Sequence, residues 1–175
     1  MSKAIGSEIF INLAFRIQFV LIQNNLRFVN LLFKMMIESV LVVDDDLIAL
    51  SLCEFAIKNS GFSQKVQTVK NGREALDIFI ALEEGTATDS TVPTLIFLDL
   101  NMPVMDGWDF LKAYLQKFAT KYPETKVCIL SSTIDPEDFV KAGKYKIVLE
   151  FISKPLTMEI LQELKKSSQL KKYFS

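Results

Sequence analysis

Several residues able to do chemistry stand where short apolar runs end. Asp44 and Asp45 follow Val40-Leu41-Val42-Val43, Asp99 follows Leu95-Ile96-Phe97-Leu98, Ser131 follows Lys126 to Leu130, and Lys154 comes just after Ile147 to Ile152. Apolar runs this short read as buried strands rather than helices, and open α/β sheets hold their ligands at the carboxyl ends of strands. Three carboxylates brought into one crevice repel each other and raise each other's pKa. A hard divalent cation relieves that repulsion, and Mg²⁺ suits a site of one or two carboxylates, a carbonyl and retained waters. A carboxylate is also a competent nucleophile toward phosphorus, giving an aspartyl phosphate. In-line transfer then needs its developing charge neutralised by a metal on one side and a cation on the other. Lys154 supplies the cation and Ser131 a hydroxyl donor. Each residue alone has an ordinary reading: a helix-start acid run for Asp44 to Asp46, a surface charge for Lys154, a turn residue for Ser131. Their joint placement at four strand ends is what favours phosphoryl capture.

The elements between these residues set the architecture. After the first strand, Asp46 is an N-cap for a helix from about Leu47 to Ser60, with Leu50, Phe55 and Ile57 among its apolar positions and Gly61 as its stop. Val66 to Val69 is a second strand. Asn71-Gly72 turns the chain into a helix over Arg73 to Leu82. Glu83 to Pro93 is a polar loop, rather long for such a connection. The strand ending at Asp99 follows, and Pro103 and Asp106-Gly107 punctuate its turn. A helix runs from about Trp108 to Lys121, with Phe110, Leu111, Tyr114, Leu115 and Phe118 on its apolar face, and Pro123 breaks it. Asp135-Pro136 opens a short helix to about Lys144, and Thr157 opens a last helix to about Leu170. Five strands alternating with five helices predict an α/β fold, a doubly wound parallel sheet with helices on both faces, flavodoxin-like. In strand order 2-1-3-4-5, strands one and three are neighbours at the switch point. Asp44, Asp45, Asp99, Ser131 and Lys154 then converge.

Composition narrows the functional classes. At 175 residues the chain has room for one domain and an extension. A net charge of −1 gives no global attraction to nucleic acid. With no His in the sequence, any His general base, metal ligand or phosphodonor must come from another molecule. Cys53 and Cys128 match no metal spacing and lie in apolar segments, as reduced core thiols of a cytoplasmic protein would.

Residues 1–36 differ from the rest, with Lys3, Arg16, Arg27 and Lys34 against the single acid Glu8. They are read as an N-terminal extension, with the domain proper over 37–175. Polar interruptions leave no apolar run of the ~20 residues that a membrane span needs. Two readings stay open: an amphipathic helix for a membrane surface or a partner, or a disordered, over-extended start of translation, which Met35-Met36 immediately before the domain favours. Membrane contact is expected only if the extension is real.

The motifs Val42-Val43-Asp44-Asp45, Leu98-Asp99-Leu100-Asn101-Met102-Pro103 with Met105-Asp106-Gly107, Ile129-Leu130-Ser131-Ser132, and Phe151-Ile152-Ser153-Lys154-Pro155 span the domain in order. On these residues the chain from about Ile37 to Leu170 resembles the receiver domain of two-component response regulators, in a single-domain, chemotaxis-regulator-like form. The resemblance implies Asp99 as phosphoacceptor and Mg²⁺ held by Asp45 and Asp99 directly, by Asp44 through a water and by the backbone carbonyl of Asn101. It implies Lys154 paired with the phosphoryl group, Ser131 as switch hydroxyl, Phe151 as switch aromatic, and a cis Lys154-Pro155 bond. The phosphodonor would be a histidine kinase or His-containing phosphotransfer protein. Output would pass to an unknown downstream protein by contact, with no appended DNA-binding domain expected and no enzymatic activity beyond the protein's own phosphorylation and dephosphorylation.

Two other readings stand beside this one. A Mg²⁺-dependent phosphatase with an aspartyl intermediate would need an acid two residues after the nucleophile, where Asn101 stands. A binding module that uses the fold without phosphorylation would have no need of the acid, lysine and hydroxyl set.

Overall fold

The computed structural model describes residues 21–26, 35–89, 91–133 and 135–174. By its internal contacts the chain divides into residues 1–35 and 36–175. In the first unit, residues 21–26 are helical, with Leu21, Ile22 and Leu26 exposed. Most of the stretch read as amphipathic lies outside the described residues. Among the described residues, no helix is long and apolar enough to cross a membrane.

The second unit is built on five parallel strands: β1 (Val40–Val43), β2 (Val66–Val69), β3 (Leu95–Asp99), β4 (Lys126–Ser131) and β5 (Val148–Ser153), in the order β2-β1-β3-β4-β5. Helices α1 (Leu47–Asn59), α2 (Gly72–Glu84), α3 (Gly107–Lys117), α4 (Pro136–Ala142) and α5 (Met158–Lys166) alternate with them. β1, β3 and most of β4 are buried on both faces, which is why they read as unbroken apolar runs.

Alternation along each strand splits the core in two. Val40, Val42, Leu95, Phe97, Cys128, Leu130 and Ile152 face α1 and α5 with Leu50, Ile57, Leu161 and Leu164. Leu41, Val43, Ile96, Leu98, Val127 and Ile129 face α2 and α3 with Phe79, Phe110, Leu111 and Tyr114.

Helix starts follow the sequence signals. Asp46 accepts from the Ile48 N–H, Asn71 from Glu74, Asp106 from Asp109, Asp135 from Glu137 ahead of Pro136, and Thr157 from Ile160. Helix ends depart from expectation. α3 stops at Lys117 rather than Lys121, because the Ala119 N–H reaches back to the Tyr114 carbonyl and tightens the chain into turns. α5 stops at Lys166 rather than near Leu170, because Ser167 takes an extended backbone and a short 3₁₀ turn follows over Lys171–Tyr173. That break buries Leu170 and lays Phe174 against Phe62, with ring centroids 5.1 Å apart. Phe55 and Leu115, expected on buried faces, are exposed.

The loop between β3 and α3 is pinned at both ends. The Gly107 N–H donates to the Leu100 carbonyl at 3.0 Å, and Gly107 lies so close to the Asp99 carbonyl that a Cβ would overlap it. The Gly72 N–H donates to the Met105 carbonyl at 3.0 Å. Between these pins the Met105 N–H closes on the Pro103 carbonyl at 2.8 Å, a γ-turn centred on Val104 at φ 71°. A β-branched residue strains there, and Val104, 83% exposed, recovers nothing by packing.

Val104→Gly should therefore stabilise the fold by about 1 kcal/mol, the left-handed penalty less the entropy glycine adds to the unfolded chain. The check is a urea midpoint that rises with unchanged slope; an unchanged or lower midpoint would count against strain at this turn.

Candidate functional site

The carboxyl ends of β1, β3 and β5 bring three charged side chains together. The Asp44 backbone N–H donates to the Val69 carbonyl, holding the first strand end against β2. Asp44 is fully buried, and its Oδ1 accepts from the Asp46 N–H at 3.0 Å. Asp99 closes β3 opposite Leu130 of β4 and is 5% exposed. Lys154 follows β5, placed by its backbone N–H bond to the Ser131 carbonyl at 2.9 Å and by the cis Lys154-Pro155 bond. Its Nζ lies 2.6 Å from Asp44 Oδ2 and 3.2 Å from Asp99 Oδ2.

Strand parity explains why these three meet. Asp44 continues the alternation of Val40 and Val42, Asp99 that of Leu95 and Phe97, and Lys154 that of Ile152, all on the α1–α5 side of the sheet. Ser131 continues the opposite series, Val127 and Ile129, as does Phe151, the register partner of Ile129. Of the residues expected to converge at strand ends, Asp44, Asp99 and Lys154 are in contact and Asp45 is beside them, while the Ser131 hydroxyl is bonded within its own loop.

The electrostatics follow from burial. Burial pushes the Asp99 carboxyl above the usual carboxylate range; the Lys154 ammonium opposes this, and the Asp44 charge adds to it. For Lys154 burial acts downward, but bonding and attraction to Asp44 and Asp99 prevail and hold its pKa above the usual lysine value. Asp45 is exposed at the rim, and oxygens of Asp44, Asp45 and Asp99 all lie within 4.8 Å of one another. Three carboxylates against one ammonium leave an excess of negative charge. Asp44 Oδ2 is buried without a well-directed hydrogen bond, the 2.6 Å ammonium contact being its partner. An all-oxygen donor set with an under-satisfied buried oxygen fits a hard divalent cation such as Mg²⁺. Asn101 is exposed on the lip of the crevice, with its backbone N–H directed to Asp99.

Among the described residues the Ser131 hydroxyl makes no hydrogen bond to this cluster. It is buried and donates to the Thr133 carbonyl at 2.7 Å. Phe151 is half-buried and meets Phe139 of α4 edge-on, with centroids 6.1 Å apart.

Two features beside the site escaped the sequence reading. Cys53, read as a core thiol, lines a cleft of about 300 Å³ with Asp44, Lys154, Ile48, Leu52 and Pro155. Burial first, then the Asp44 charge, pushes its pKa up to about 11, so it stays a neutral thiol. Along the outer side of α1, Leu47, Ile48, Leu52 and Phe55 are all exposed. The available signal was a helix apolar around most of its circumference, which a one-sided core contact does not require.

A family model described as the response regulator receiver domain matches residues 40–166. The chemotaxis protein CheY of Listeria monocytogenes is 31% identical over 130 residues, covering 74% of this chain and 97% of that protein. The transcriptional regulatory protein PrrA of Mycobacterium leprae is 37% identical over 119 residues, covering 68% of this chain. The match takes in 44% of PrrA, so the chain spans less than half the length of that curated relative. Among solved structures, a two-component response regulator from Cytophaga hutchinsonii superposes with a TM-score of 0.66 at 33% identity, covering 74% of this chain and 94% of that one.

A pH-dependent outcome follows from Asp99. Its folded pKa lies above the unfolded value, so at pH 7 the buried charge costs stability. That cost is released as pH falls through the folded pKa. Metal-free Asp99→Asn should melt about 2–4 °C above the parent at pH 7, the shift that ~1 kcal/mol gives in a domain of this size. The gap should narrow toward pH 4, and Mg²⁺ should raise the parent's Tm more than the variant's. Thermal melts in chelator and in Mg²⁺ at both pH values test this; a variant less stable than the parent at pH 7 would contradict it.

Proposed function

Because the chain belongs to the response regulator receiver family, we propose that it is a phosphorylation-dependent signalling switch, with Asp99 accepting a phosphoryl group from a partner histidine kinase or His-containing phosphotransfer protein. The observation that carries this reading is the Lys154 ammonium set between Asp44 and Asp99 at three strand ends. In the transfer, an Asp99 carboxylate oxygen bonds to phosphorus as the bond from phosphorus to the donor imidazole nitrogen breaks. The electron pair leaves with the imidazole. Lys154 balances charge on the equatorial oxygens. Asp45 and Asp99, the Asn101 carbonyl and, through a water, Asp44 would hold Mg²⁺, which when bound neutralises phosphoryl charge.

The donor must approach over the rim beside α1. There the exposed stripe of Leu47, Ile48, Leu52 and Phe55 adjoins the cleft that reaches Asp44 and Lys154. A protein donor presenting an apolar helix face would cover that stripe while delivering its imidazole to Asp99.

After transfer the new charge and acceptor oxygens draw the Ser131 hydroxyl from the Thr133 carbonyl toward Asp99. Phe151, on the same face of the sheet as Ser131, turns into the space vacated, and the α4–β5–α5 surface changes toward a downstream protein. In this reading residues 37–175 are the receiver domain of a cytoplasmic regulator, a domain that catalyses only its own phosphorylation and dephosphorylation, and residues 1–36 are an extension.

Incubation with acetyl phosphate and Mg²⁺, read by intact mass, should give a single phosphoryl adduct that chelator abolishes. Asp99→Asn should give none, and Lys154→Met should form it more slowly by a factor on the order of 10². The reading fails if the parent takes up no phosphoryl group, or if the adduct persists without the Asp99 carboxylate.

A further inference from the structure

α4 is weakly seated. Of its residues Ala142 is the buried one, while Phe139 and Val140 are 59% and 63% exposed. It spans two turns, too short to be stable without tertiary contacts. Besides the buried Ala142, its C-terminal end is held at the surface by one residue of α3. The Lys141 ammonium lies 4.1 Å from the centroid of the Trp108 ring, close for a cation over an aromatic face. The Tyr145 ring, just past α4, packs on the same indole with centroids 5.8 Å apart and a 32° tilt. Trp108 is half-buried and Lys141 exposed, so the pair sits at the rim, where Lys141 has solvent as its alternative.

Trp108 is also tied to the acceptor. It follows Gly107, whose N–H bonds the Leu100 carbonyl and whose Cα presses on the Asp99 carbonyl. The other end of α4 leads back to Ser131, through a connection in which the Ser131 hydroxyl bonds the Thr133 carbonyl. For Ser131 to turn toward Asp99 it must give up that bond, which frees the Thr133 carbonyl two residues before the Asp135 cap of α4.

We propose that Trp108, Lys141 and Tyr145 form a clamp that holds α4 in its unphosphorylated position and so sets how readily the switch is thrown. The inference rests on Asp99 being the phosphoacceptor. It adds a restraint that acts outside the Ser131–Phe151 pair. Opening the clamp raises the population of the switched arrangement before any ligand binds, and a ligand selective for that arrangement gains apparent affinity in the same proportion.

The probe is beryllofluoride with Mg²⁺, a phosphoryl mimic, titrated into the full chain. Lys141→Met keeps the stem and removes the cation, and Tyr145→Leu removes the stacking ring; both changes lie at the rim rather than in the core. Each should bind the probe roughly two- to fivefold more tightly than the parent, the factor expected for loss of one exposed cation–ring contact. The α4 amides should exchange faster in probe-free variant than in probe-free parent, while those of α1 should not change. Trp108 emission in the parent should shift on saturation with the probe as the ammonium leaves the ring. Unchanged or weaker probe affinity in Lys141→Met, in a parent that binds the probe, overturns the clamp alone. A parent that does not bind the probe overturns the Asp99 reading, and the clamp with it.

Discussion

The fold holds two buried carboxylates from adjacent strands in one place, and the Lys154 ammonium between them makes that tolerable. Burying either acid alone would cost several kcal/mol, and burying both without a cation more. Much of the topology serves this contact. β1 and β3 must be neighbours to bring Asp44 beside Asp99, and β5 must lie on the same side of the switch point for Lys154 to reach both. The lysine is anchored through its own backbone to the Ser131 carbonyl, so β4 contributes even where its side chain does not. Three acids for one ammonium still leave unbalanced charge, and that imbalance suits the crevice to a divalent cation.

The sheet and the cluster were legible in the sequence because both depend on strong local signals. Val40–Val43 and Leu95–Leu98 are buried on both faces and read as continuous apolar runs, and a charged residue closing such a run is hard to place anywhere except at the carboxyl end of a strand. The caps at Asp46 and Asp135 were legible for a similar reason, a short polar side chain meeting a free N–H two residues on, while Asn71 and Asp106, read as turn residues, prove to be caps as well. Helix ends were less so. Nothing local in Ser167 demands a break; the burial of Leu170 and the seat of Phe174 on Phe62 decide it. Phe55 shows the opposite failure, an apolar residue in a helix taken for core when it faces outward. The division of the site between two faces was available in principle, since counting by twos from Val40, Leu95 and Val127 yields it, but grouping residues by strand end alone hides it.

The two halves of the site also differ in rigidity. The Asp99 side is pinned by backbone bonds from Gly72, Met105 and Gly107 and by contacts that exclude a Cβ. The Ser131 side rests on a two-turn helix seated by Ala142, aromatic rings and one surface lysine. Chemistry that requires oxygens placed to fractions of an ångström sits on the stiff part. α4, with few buried side chains of its own, is the part with least to lose by moving.

Strand parity carries a consequence for how such a chain can diversify. Asp44, Asp99 and Lys154 project from one side of the sheet and Ser131 and Phe151 from the other, and the two sets come nearest where the strands end. Substitutions among the exposed residues of α4 can change what that surface fits while Asp44, Asp99 and Lys154 stay untouched, and changes in the exposed stripe of α1 can alter what docks there without altering α4. A lineage built on this plan can exchange its upstream and downstream vocabulary independently, one layer of side chains at a time.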